Sequence, residues 1–158
     1  MRGLGFRGLK ILPAYNHMAL DDPRLYPFYA LAEDWGVPVV VHTGSTRPAE
    51  VRLAWQEPGL LDAVGAAFPA LRLWLAHGGM HRHMDAFNVL YKYPNMAADL
   101  SFWGHFPPHY LAQALAAAKQ TGVLERLMWG TDYPFWGQAG ELPAGGRPPP
   151  RAPRSGSR

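Results

Sequence analysis

"VPVVVHTG" (37–44) sets four valines against a sudden polar ending at His42, Thr43 and Gly44. A short run of branched apolar residues closed by a turn signal is the pattern of a buried strand. Four other segments share the form: "GLKILP" (8–13), "LRLWLAHGG" (71–79), "NMAADLSFW" (95–103) and "RLMWGTDYPF" (126–135). Helical patterns lie between them. Residues 26–35 place Phe28, Leu31, Ala32 and Trp35 on one face, and Gly36 stands at the C-cap position. Residues 59–68 carry Leu60, Leu61, Val64 and Phe68; residues 82–92 carry Met84, Phe87 and Tyr91. Residues 109–121 carry Leu111, Ala114, Leu115 and Ala118, with Gly122 following. Strand alternating with helix predicts βα units, a parallel sheet and helices outside it.

Bulk properties bound the function. The chain has 158 residues, 48% of them hydrophobic, enough for one domain with a real core. Zero cysteines exclude disulfides and thiolate zinc sites. With no leader-like segment after Met1–Lys10, a cytoplasmic protein is expected. No apolar run approaches the ~20 residues of a spanning helix, so no membrane role is expected. The net charge of +3 resides in residues 137–158, where four arginines face Glu141; the other 136 residues balance eleven basic against eleven acidic side chains. Nucleic acid is therefore not an expected partner. In that tail ten of twenty-two residues are Gly or Pro, which predicts disorder. Its composition is that of a GC-rich gene read in a shifted frame, or of a true low-complexity tail. The expected division is 1–136 folded and 137–158 a tail.

Period-2 alternation puts Val40 with His42, Leu73 and Leu75 with His77, and Met128 and Gly130 with Asp132. Trp74 and Trp129 are expected on the opposite face, under the helices. Each of three strands thus ends in an ionisable residue, at the end where parallel α/β folds build their sites. Singly, each has a plain structural reading: a hydrogen-bonded core histidine for His42 and His77, a turn residue for Asp132. Together, two imidazoles and a carboxylate are the donor types that hold zinc or a similar divalent ion around an open position.

These segments, in this order and with the "GTDYPF" ending, resemble the amidohydrolase-related family. Its members are metal-dependent TIM barrels that include aminocarboxymuconate semialdehyde decarboxylase, resorcylate-type decarboxylases and hydrolases. The resemblance covers residues 5–136 and implies strands four to eight of an incomplete (β/α)8 barrel with covering helices, too short to close. It implies metal ligation by His42 and Asp132, with zinc or manganese as the ion. It implies catalytic roles for His77 and Asp132, and a small carboxylate-bearing substrate, with a homo-oligomer open for an intact parent. The family's His-x-His or Glu-x-His pair, at the end of its first strand, has no counterpart here. "HRH" (81–83) has that spacing after the wrong strand and reads as exposed. Lys10 stands where some wider relatives carry a carbamylated lysine and reads as structural. Arg47 could hold a substrate carboxylate or be a solvated loop residue. Trp103, with Phe102 and Trp136, could wall a pocket or simply pack. His105 and His109 read as surface residues. Two functions stay open: a metal-dependent hydrolase or carboxy-lyase lacking its N-terminal ligand half, and a non-catalytic, partner-dependent module.

Overall fold

The computed structural model describes residue 3 and residues 5–133. The tail from residue 137, and Trp136 with it, lie outside the described residues. Five strands form one sheet: β1 (Leu9–Ile11), β2 (Val39–His42), β3 (Leu73–Ala76), β4 (Met96–Asp99) and β5 (Leu127–Met128). They stand in sequence order, and all four pairings are parallel. Four helices alternate with them: α1 (Tyr26–Trp35), α2 (Leu61–Ala67), α3 (His83–Lys92) and α4 (Pro108–Gln120). The expected βα alternation is what the chain adopts, with strands shorter than the apolar segments that signal them.

Val39, Val41, Leu73, Leu75, Met96 and Ala98 share one face of the sheet, packed against Tyr29 and Ala32 of α1, Leu61 and Val64 of α2, Phe87 and Leu90 of α3 and Ala118 of α4. Each fully buried Leu or Val contributes roughly 1.5–3 kcal/mol against exposure, so this layer sets which face the helices cover. The helix faces differ in part from the sequence pattern. In α1 the core residues are Tyr29 and Ala32, while Phe28 and Leu31 are exposed. The Tyr29 hydroxyl donates to the Leu20 carbonyl at 2.8 Å, so the amphipathic ring turns inward with its polar tip satisfied. In α3 the core residues include Ala86, Phe87 and Leu90, whereas Met84 and Tyr91 face solvent.

The other face carries Lys10, Val40, Trp74 and Ala97 in one register row. His42 beside Ala76, and Asp99 beside Met128, belong to the row one pleat further on. The expectation for Trp74 is therefore wrong: it lies on the site face, in phase with His42, and not under the helices. Trp129 is likewise unburied, at 42% exposure. The error comes from carrying alternation back from His77. That residue has φ 68 and lies past the strand end, where the pleat no longer dictates side-chain direction.

Candidate active site

The chain leaves β3 through four consecutive residues with positive φ: His77 (68), Gly78 (52), Gly79 (75) and Met80 (47). Left-handed backbone is costly for any residue with a Cβ, so His77 and Met80 are held there by their surroundings. The holding contacts are visible. Asp99 accepts the His77 backbone N–H at 3.1 Å, and the Trp103 indole donates to the His77 carbonyl at 2.8 Å. Thr43 donates to Ala76 O at 2.7 Å and accepts from the Gly79 N–H at 3.1 Å, tying the β2 loop to the β3 loop. The turn swings His77 back over the strand ends, where its ring meets His42 edge-on at 4.8 Å between centroids. Gly44 makes room for this, since a Cβ there would stand 2.8 Å from the His77 ring.

His42 Nε2 is buried and has no hydrogen-bond partner. Burial, with His77 and Lys10 nearby, holds the His42 pKa down at about 4, against weaker opposition from the Ser45 backbone and Asp99. The imidazole is neutral at physiological pH and offers a lone pair that none of the described residues uses.

Asp99 is the hub of the cluster. Its Oδ1 accepts from the Ser101 N–H at 2.9 Å and the Ser101 hydroxyl at 2.5 Å, besides His77 N–H; its Oδ2 accepts the Trp74 indole N–H at 2.7 Å. Ser101 Oγ also lies 2.8 Å from His77 Nδ1. Lys10, Trp74, His77, Asp99, Ser101 and Asp132 line one open groove of ≈ 440 Å³, a volume suited to a small ligand. Partial burial pulls the Lys10 pKa below its ordinary value, while Asp99 and Asp132 oppose the fall.

His77 and Asp132 both line the groove, and the His42 ring lies against that of His77. Asp132 itself sits past β5 in left-handed conformation, φ 58, which Asp tolerates better than most residues. Arg47 is an exposed loop residue. Trp103 is not a pocket wall: it is fully buried with Leu100 and Ala114 and stacks on Tyr110 at 5.5 Å. Of "HRH", His81 is exposed as expected. His83 is half-buried instead, its Nδ1 3.0 Å from Met80 O and its ring against Trp103.

The sequence reading missed Asp99, Ser101 and Trp74 and assigned Lys10 a structural place. The signal for Asp99 was present, as a carboxylate ending an apolar strand in the manner of His42. For Trp74 and Ser101 only the strand register could have shown it.

Among the described residues, the one buried side-chain nitrogen without a partner is His42 Nε2, a position that an ion could take. No group of three His, Asp or Glu close enough to hold an ion occurs among them. Catalytic zinc sites use about three protein ligands, so these residues do not make a whole site. Nor is any helix among them long and apolar enough to cross a membrane.

A family model described as Amidohydrolase matches residues 1–149. An uncharacterized TIM-barrel protein, Bb4693, from Bordetella bronchiseptica is 29% identical, with a TM-score of 0.73 over 85% of this chain. Dihydroorotase from Campylobacter jejuni, 19% identical, aligns over 82% of this chain at a TM-score of 0.55 and shares the fold alone. The chain spans 47% of the Bb4693 chain and 44% of the dihydroorotase chain. Its five parallel strands and covering helices are those of an incomplete α/β barrel.

Proposed function

This chain belongs to the amidohydrolase family, and on that premise we propose that its strand-end cluster is one part of a metal-dependent hydrolase or carboxy-lyase site. The observation that carries the reading is the buried, unpartnered Nε2 of neutral His42 against the His77 ring. A divalent ion, zinc or manganese, would polarise the substrate there as a Lewis acid, held by His42 and Asp132 with further donors from outside the described residues. His77, at the groove wall, would exchange a proton with substrate or water. Lys10, charged and facing the same groove, suits a carboxylate-bearing substrate. Asp99 fixes the loop that carries His77 and never needs to leave its four donors.

A second reading, a partner-dependent module without activity of its own, is favoured by the absence of three convergent donors among the described residues. One experiment separates the two. The chain is fused behind three βα units that bring a His-x-His pair, then assayed with zinc or manganese on aromatic and unsaturated carboxylic acids. Turnover that is lost again in His42→Ala and in Asp132→Ala supports the hydrolase or carboxy-lyase reading. A folded, metal-loaded fusion with no turnover leaves the module reading. The 158-residue chain alone should bind the ion weakly and turn over negligibly. Tight stoichiometric binding with turnover would mean that the site needs no added donors.

A further inference from the structure

Ser101 Oγ stands between two partners, His77 Nδ1 at 2.8 Å and Asp99 Oδ1 at 2.5 Å. A serine hydroxyl has one proton to give. Asp99 Oδ1 already receives two backbone N–H groups, from His77 at 3.1 Å and Ser101 at 2.9 Å. An oxygen so engaged acts as a carboxylate acceptor and has no proton to offer back, and a short O–H···O contact is the signature of a hydroxyl donating to a carboxylate. The serine proton therefore points to Asp99. The lone pair left on Oγ must take its hydrogen bond from His77 Nδ1–H. A second contact agrees: the Ser101 backbone carbonyl, which can only accept, lies 3.3 Å from the same Nδ1.

We propose that Ser101, oriented by Asp99, is a positioning residue that fixes His77 as the Nδ1–H tautomer and so reserves the Nε2 lone pair for the groove. The bond that one ring nitrogen makes decides the chemistry of the other. Asp99 is itself fixed by the Trp74 indole at 2.7 Å, so the chain Trp74–Asp99–Ser101–His77 runs from the sheet to the site. A His77 with its lone pair at Nε2 can accept a proton or bind an ion; the other tautomer would present an N–H and could do neither. This rests on the proposed function for its use, but not for its test.

The test is long-range ¹H–¹⁵N correlation of the histidine rings in the 158-residue chain, metal-free, at about pH 8, where an unperturbed imidazole is neutral. His77→Gln assigns the His77 signals by their loss. The expected result is Nδ1 with the shift of a protonated nitrogen and Nε2 with that of a lone-pair nitrogen. Ser101→Ala removes the Oγ acceptor and leaves the backbone carbonyl, so both shifts should move part of the way towards the averaged values of an unrestrained ring. The Trp74 indole N–H shift, held by Asp99, reports whether the rest of the cluster survives the substitution. A wild-type ring protonated at Nε2 would overturn the proposal, as would a Ser101→Ala spectrum unchanged at both ring nitrogens. If the tautomer is as stated while the fused, metal-loaded chain stays inactive, the functional reading fails and this inference stands.

Discussion

The β3–β4 end of the site and the β5 end are built by opposite means. At β3–β4, Asp99 takes four donors, His77 is held in a left-handed turn, and both are buried. At β5 the ladder is two residues long; Trp129 and Tyr133 beyond it are exposed, and Asp132 is half-buried on the turn between them. One end is preorganised by its own hydrogen bonds. The other offers a carboxylate that lines the groove, with no side-chain hydrogen bond to it among the described residues. Among the described residues, the fixing contacts are thus concentrated on His77.

The contrast can be broken most directly at Asp99. Asp99→Ala leaves the Trp74 indole, two backbone N–H groups and a hydroxyl without their acceptor, and should cost about 3–5 kcal/mol in urea denaturation. A loss no larger than that of a surface change would mean that the cluster is not the rigid end. The second test is pH. With the His42 pKa at about 4 in the fold and about 6.5 in the unfolded chain, the unfolded state alone binds a proton between those values. Stability contributed by this site is therefore flat above about pH 6.5 and falls as pH drops towards 4, by on the order of 2–3 kcal/mol. Denaturation of wild type and His42→Asn across that range should show the difference in slope; equal slopes would place His42 in a more solvated setting.

Gly44→Ala sharpens the comparison from the steric side. Its Cβ would stand 2.8 Å from the His77 ring, so the ring must shift, at about 1–3 kcal/mol, with His77 ring resonances displaced in NMR spectra. The smallest effect is expected at the open end. Asp132→Asn keeps a residue that tolerates left-handed backbone and should change stability by less than about 0.5 kcal/mol. It should nonetheless lower the Lys10 pKa further, because one of the two carboxylates supporting that charge is gone. NMR titration of the lysine side chains would detect this, and an unmoved Lys10 would separate the two residues.

The five strand segments, the four helices and the parallel arrangement were legible in the sequence, because burial under helices forces continuous apolar runs and turns force Gly, Pro or polar endings. His42, His77 and Asp132 could be singled out for the same reason, since each interrupts such a run at its C-terminal end. What alternation could not supply was the phase of β3. The rule holds only while the backbone stays extended, and it fails at His77, whose positive φ is sustained by Asp99, Trp103 and the Thr43-bonded loop from other elements. Hence Trp74 was read onto the wrong face; of the two readings of Trp103, packing is the one the fold shows, against α4. The sequence by itself determined which segments are strands and which polar residues close them, through local periodicity. The tertiary structure alone decided how they are connected, because Asp99, Ser101 and Lys10 reach the site by strand register, which no single segment encodes.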